Sequence, residues 1–288
     1  MQSDSLHRFL FEHVAIRGEL VHLDASYQAV LEKHDYPSVV QKLLGEMMAA
    51  LALLSATLKY KGRLSAQLQG NGPLSLLVVE TDHERHMRAI AHWQGELPEG
   101  DLAALAGDGR LAITVEQESG ERYQSVVALT GNSLADALTD YLMRSEQLDT
   151  LLWLAADQQR AAGLLIQKLP EQDGDAEDWN RISQLSGTIT NTELLELDGR
   201  DVLHRLYHQE DIRLFDPMPV SFRCNCSRER VTGMLRNLGI DEIHAILEEQ
   251  GSIEVACEFC NHKYAFDSVD AEQLFASEVP HNAPDTRQ

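Results

Sequence analysis

Every cysteine of this chain lies between positions 224 and 260, as Cys224-Asn225-Cys226 and Cys257-Glu258-Phe259-Cys260. Two close pairs on separate turns can present four thiolates at the corners of a tetrahedron, the donor set that Zn2+ takes in a closed structural site. The expectation is therefore one Zn2+ per chain, held by Cys224, Cys226, Cys257 and Cys260. The one-residue gap of the first pair is tighter than the commoner roughly two to four, and leaves its sulfurs near enough to join each other once a metal is lost. Buried or free thiols are the competing reading. His262 is a weaker candidate ligand, because four sulfurs already fill the shell.

The segment between the pairs fits a small module around such a metal. Ser227 is placed to cap a helix through Leu238, Asp241 to cap a second through Glu249, and residues 252 to 256 read as a strand returning to the second pair. The apolar complement is thin, with Val231, Leu235, Ile243, Ile253 and Phe266 among its main members. A piece this short needs the metal to fold. Structural zinc contributes on the order of 10 to 16 kcal/mol of folding free energy, whereas disulfides closing each short cysteine loop give only about 2 kcal/mol apiece. Oxidation would therefore open the module rather than lock it, and metal-held thiolates are the form an electrophilic oxidant attacks.

Before this module, alternation marks strands near residues 9 to 23, 63 to 69, 73 to 81, 87 to 93, 111 to 116 and 123 to 129. After Tyr36-Pro37-Ser38, Val40, Leu43, Leu44, Met47, Met48, Leu51 and Leu54 recur at helical spacing and are assigned to the core rather than to an adaptable surface. Ser133 opens a helix to Met143, and residues 151 to 155 and 162 to 169 flank a polar turn at 157 to 160. The fold class is α+β, with a largely antiparallel sheet and packed helices over 1–170, a helical linker over 171–223 and a zinc-binding domain over 224–288. The linker helices are too short to stand alone and must lean on a neighbouring surface. The tail from Glu278 is expected to fray.

Charge narrows the function. Lys and Arg total 24 against 46 Asp and Glu, a formal net charge of -22. That balance repels a phosphate backbone and argues against nucleic acid as a partner. The opening MQSDSLHRFLFEH lacks the pattern of a secretory signal, and the apolar run at 47 to 54 is short for a membrane span, so a cytoplasmic location without membrane insertion is expected. In such a compartment four clustered cysteines point to metal or redox chemistry rather than a disulfide framework.

Other motifs have plainer readings. Asp82-His83-Glu84-Arg85-His86 misses the helical metalloprotease spacing by one residue and reads as a solvated turn. Gly70-Asn71-Gly72-Pro73 and Gly107-Asp108-Gly109 lack a phosphate loop and read as hairpin turns. Asp173, Asp175, Glu177 and Asp178 lack calcium-loop spacing and favour the next helix N-terminus.

Taken together, LHRFLFE and RGELV near the start, HDYP at 34 to 37, LSATLKY at 54 to 60, QLQGNGPL at 67 to 74, GERYQ at 120 to 124, MRSEQL at 143 to 148, RLYH at 205 to 208, CNCSRER at 224 to 230 and CEFC at 257 to 260 make the chain resemble the heat shock protein 33 family of redox-regulated chaperones. Where that family often continues with Gly-Asn after its last cysteine, Asn261 and His262 stand here. The resemblance implies an ATP-independent holdase for unfolding proteins rather than an enzyme, inactive as a reduced, zinc-bound monomer and active as an oxidised homodimer. It implies that the four cysteines ligate zinc when reduced and pair as Cys224 with Cys226 and Cys257 with Cys260 when oxidised. Loss of the zinc module would then uncover linker residues such as Trp179, Leu195 and Leu206 for clients. A thiol-disulfide oxidoreductase using Cys257 and Cys260, without the βαβ surroundings of that class, and a constitutive zinc-dependent adaptor are the rivals.

Overall fold

The computed structural model describes residues 4–98, 100–145, 147–170 and 176–276, and divides into two units, Met1–Arg223 and Cys224–Gln288. In the first unit the stretch read as one alternating segment is a pair of antiparallel strands, β1 (Ser5–Phe11) and β2 (Ile16–Leu23). A short helix that the sequence did not reveal, α1 (Ala25–Leu31), follows. Pro37 then leads into α2 (Ser38–Thr57), where a fixed φ costs nothing because the first turn has no intrahelical acceptor for its nitrogen.

The strands expected next are present: β3 (Gly62–Gln69), β4 (Leu74–Asp82) and β5 (His86–Trp93), then α3 (Leu102–Ala106), β6 (Arg110–Gln117) and β7 (Arg122–Ala128). After α4 (Leu134–Ser145), β8 (Thr150–Ala156) and β9 (Ala161–Lys168) form the foreseen hairpin, its turn closed by Asp157, whose carboxylate accepts from the Gln159 and Arg160 amides. Ser133 caps α4 as expected: its hydroxyl accepts from the Asp136 amide while the Asp136 carboxylate accepts from the Ser133 amide.

The sequence suggested one sheet, and there are two. Sheet A includes β1, β2, β9 and β8 in that order, and sheet B includes β5, β4, β3, β6 and β7. α2 runs between them, so both of its flanks are apolar and covered, with Met47 and Met48 buried as core. By length and composition α2 could cross a membrane, and its apolar surface is accounted for here by the sheets.

The glycine doublets correct a second expectation. Only Gly70 to Pro73 turns a hairpin, and Gly107 ends α3 at φ 61. The two turns interlock, with the Asn71 and Gly72 amides donating to Ala106 O at 3.0 and 3.2 Å. A Cβ at Gly70 would meet Ala106 O at 2.6 Å, so the close approach itself requires glycine.

On the outer side of sheet A lie α5 (Ala176–Ser186), α6 (Asn191–Glu196) and α7 (Gly199–Tyr207). They do lean on a surface: Ile182, Leu194, Val202, Leu206 and Tyr207 pack against Phe9, Phe11, Ile16, Leu20 and Leu164. Glu177 and Asp178 occupy the first turn of α5, where anionic side chains are favoured, while Asp173 and Asp175 lie outside the described residues. α6 begins with a reciprocal Thr190–Glu193 capping box, and Asp198 caps α7. The chain then forms β10 (Ile212–Leu214), β11 (Met218–Pro219) and β12 (Ser221–Phe222) before reaching Cys224.

The second unit comprises α8 (Arg228–Leu238), α9 (Ile240–Gln250), the hairpin β13 (Ile253–Ala256) and β14 (Lys263–Phe266), and α10 (Ser268–Ala276). The Ser227 hydroxyl accepts from the Arg230 amide, as expected for the α8 cap. Asp241 does not cap α9. Gly239 takes that position at φ 90, and Asp241 sits in the first turn, where its charge still opposes the helix dipole favourably. The expected fraying beyond Glu278 lies outside the described residues.

Candidate metal centre

Cys224 and Cys226 lie on the extended chain that enters α8, and Cys257 and Cys260 on the turn joining β13 to β14. Alternation along these short strands fixes the turn, and main-chain bonds close it: the Cys260 and Asn261 amides donate to Cys257 O at 3.3 and 2.7 Å, and the Cys257 amide donates to His262 O at 2.9 Å. Asn261 takes φ 56, the left-handed region that asparagine tolerates better than most side chains. The departure from Gly-Asn is thus absorbed without losing the turn.

These elements bring all four sulfurs within 4.8 Å of one another. Cys224 Sγ lies 3.7 Å from Cys257 Sγ, and Cys226 Sγ 3.4 Å from Cys260 Sγ. A tetrahedral site with Zn–S bonds of about 2.3 Å has sulfurs roughly 3.8 Å apart, so the cluster matches that ion in donor type, number and spacing. The Phe259 and Cys260 amides point at Cys257 Sγ and the His262 amide at Cys260 Sγ, while Tyr264 Oη donates to Cys226 Sγ at 3.2 Å. Donors aimed at sulfur suit thiolates. Without a cation, burial first and then neighbouring sulfurs push the Cys260 thiol well above its ordinary value, and burial raises Cys257. A divalent ion reverses that balance by supplying positive charge among the sulfurs. Its bond to Cys226 leads the causes that push Tyr264 up to about 12.

His262 is not among the clustered ligands. It contributes its main chain, and its ring stands edge-on to Tyr264 at 4.7 Å. Sequence reasoning missed Tyr264 as a donor to the cluster, although the alternation of Lys263 to Phe266 could have pointed it inward. It also missed Arg228, whose guanidinium stacks 4.1 Å over Phe266, donates to Ala265 O at 2.9 Å and pairs with Asp270 at 2.8 Å, tying α8 to the hairpin and α10.

Among the described residues one other cluster has metal-ligating groups, Asp82, Glu84 and His86. It is the turn between β4 and β5, as the sequence suggested. Asp82 accepts from the Glu84 and His86 amides and from His86 Nδ1 at 2.9 Å. Burial alone would raise the Asp82 carboxyl, but the bonds from His86 outweigh it and the net direction is downward.

The family described as Hsp33 protein matches residues 4–267. A 33 kDa chaperonin of Nitrosococcus oceani is 53% identical over 284 residues, covering 99% of this chain and 98% of the relative. One from Methylobacillus flagellatus is 48% identical, covering 99% of each. Among solved structures, the crystal structure of the 33 kDa chaperonin of Thermotoga maritima superposes with a TM-score of 0.81 at 23% identity, over 95% of this chain and 98% of the other, a likeness of fold.

Proposed function

The chain belongs to the Hsp33 family, and from that premise we propose that it is a redox-regulated, ATP-independent holdase that binds unfolding proteins under oxidative stress and is inactive while reduced and metal-bound. The observation that carries this reading is the convergence of four sulfurs in a unit with a small apolar core. Cys224, Cys226, Cys257 and Cys260 would hold one Zn2+, which when bound supplies a fourfold cross-link and keeps the sulfurs deprotonated.

The switch then follows from what the sulfurs lose. Two thiolates, two protons and one peroxide give one disulfide and two waters, so each pair surrenders two electrons and its capacity to ligate. The short contacts within the cluster run across the two sequence pairs, and so do not dictate the disulfides. The pairing of Cys224 with Cys226 and of Cys257 with Cys260 is the one the family resemblance implies, and short chain separation keeps each pair within reach once the unit opens. Disulfides of such short loops restore only about 2 kcal/mol each against the roughly 10 kcal/mol or more that a metal contributes.

Loss of this anchor frees the chain that precedes Cys224. Helices α5, α6 and α7 cover apolar residues of sheet A, and their release would offer Leu206, Leu194, Phe9 and Leu20 to unfolded chains, with the half-buried Trp179 and Leu195 beside them. The net charge of -22 keeps such a state soluble in the cytoplasm, and paired exposed surfaces favour a dimer of the oxidised form over the reduced monomer. An oxidoreductase reading is weaker, because Cys257 and Cys260 sit in a hairpin turn and not at the helix N-terminus that activates a nucleophilic thiol.

The test adds reduced, zinc-loaded protein or peroxide-treated protein to an aggregating client and follows light scattering, with thiols and released zinc counted in parallel. Suppression by the oxidised form alone, with all thiols and the metal lost, is expected. Equal suppression by the reduced form sinks the switch, and suppression by neither sinks the chaperone.

A further inference from the structure

One short segment closes an edge of both sheets. On β1, β10 and β11 add antiparallel, pairing Phe9 with Leu214, Leu10 with Arg213, Phe11 with Ile212, Ser5 with Pro219 and Leu6 with Met218. On β5, β12 adds in parallel, pairing Ser221 with His86 and Phe222 with Met87. Main-chain bonds flank these ladders. Glu12 donates to Asp211 O at 2.9 Å, Phe215 to Arg8 O at 3.0 Å, Val220 to Asp4 O at 3.1 Å, Ser221 to Arg85 O at 3.2 Å and Arg223 to Met87 O at 2.9 Å. Pro217 and Pro219 have no amide to offer.

The side chains follow a period of two. Val220 is buried in the main core, flanked by the half-buried Met218 and Phe222, while Ile212 and Leu214 pack toward the core beneath α7. Arg213 meets Glu12 at 2.7 Å at the rim. This is how an extended peptide is held by strand addition: main-chain bonds supply the attraction, and alternate side chains fill pockets. Ladders of two and three residues interrupted by proline belong to the least stable part of a fold, and this one runs directly into Cys224.

We propose that the β1 and β5 edges are the seat of an extended client segment with apolar side chains at alternate positions, and that residues 211–223 hold that seat as an internal substitute until the zinc module opens. The proposal rests on the holdase reading and extends it to the recognised chemistry, which is backbone plus alternation. Such recognition asks little of client sequence. It takes the kind of segment an unfolding protein exposes when its own buried strands come apart, and Glu12 favours a basic residue near one end.

The test uses the full chain, reduced and zinc-loaded or oxidised, and reads amide hydrogen exchange beside light scattering. On oxidation the Phe215, Val220, Ser221 and Arg223 amides should lose protection together with Glu12. Addition of a labelled peptide copying residues 211–223 should restore Glu12 alone and should compete with client capture. A copy with Phe215→Pro and Ser221→Pro, lacking two of the donors, should bind at least about tenfold more weakly.

Strap amides that stay protected in oxidised protein active against aggregation would overturn the proposal. So would a client that binds while Glu12 exchanges freely. Protection of Glu12 that rises with protein concentration and no client assigns the seat to a second copy and overturns the client. Peptide capture at Glu12 by oxidised protein that suppresses no aggregation keeps the edge site and discards the holdase.

Discussion

The first unit surrounds α2 with two sheets, and Leu44, Met48, Leu51 and Leu53 are 0% exposed. In the second unit Met234, Leu238, Ile240 and Val269 remain 44% to 59% exposed, and the core reduces to Leu235, Ile243, Ile253, Phe266, Ala271 and Leu274. Both contain helices, a hairpin and well-made caps, so local structure does not separate them. What differs is how far apolar burial exceeds chain entropy. The first unit can rely on its interior, whereas the second lies in the size range where a cross-link decides the outcome. In the second kind of unit one chemical event at the cross-link moves the whole folding equilibrium.

The largest effect that could break this contrast comes from the sulfurs. Cys257→Ser should remove on the order of 10 kcal/mol of metal-linked folding free energy. Exchange protection over residues 228–276 should vanish while the thermal transition of the first unit stays put. Protection that survived would mean the small core suffices. In the other direction, Leu51→Ala should cost the first unit about 2 to 5 kcal/mol in urea unfolding and leave zinc content unchanged. A fall in bound zinc would show that the units fold as one.

A subtler asymmetry lies in pH. Burial, opposed by Arg17 and Arg8, pushes the Glu19 carboxyl from 4.5 up to about 7. Its folded value exceeds its unfolded one, so the native state holds a proton that the unfolded state releases, and the first unit loses stability as pH rises between those values. Glu19→Gln should remove about 2 to 3 kcal/mol of that decline, read as urea midpoints from pH 5 to 8. A slope untouched by the substitution would exclude Glu19 as its source. The smallest effect is Ser227→Ala, which deletes the α8 cap. It should cost about 1 kcal/mol, seen as a roughly fivefold easier loss of zinc to a competing chelator.

What the sequence made legible was local. The cysteine spacing, the 3.6-residue rhythm of α2, the hydroxyl caps at Ser133 and Ser227 and the polar turn at Asp157 each depend on residues a few positions apart. Three kinds of feature were not legible. α1 and α3 are too short for a period to emerge. The division into two sheets rests on distant pairings such as β2 with β9 and the parallel β12 with β5, which no local pattern encodes. The start of α9 turned on Gly239, whose positive φ competes with the stronger capping preference of Asp241. In the cysteine cluster the four sulfurs were visible in the chain, while Tyr264, which donates to Cys226, and Arg228, which ties α8 to the hairpin, became evident only in three dimensions.

The placement of α2 bears on how the protein comes into being. The helix leaves the ribosome with only β1 and β2 available to cover it, because β3 to β5 follow it and β8 and β9 are translated only by Lys168. At about 5 to 20 residues per second, that leaves a membrane-like segment uncovered for several seconds. During synthesis the nascent polypeptide therefore carries an exposed apolar helix until the β8–β9 hairpin emerges to cover it.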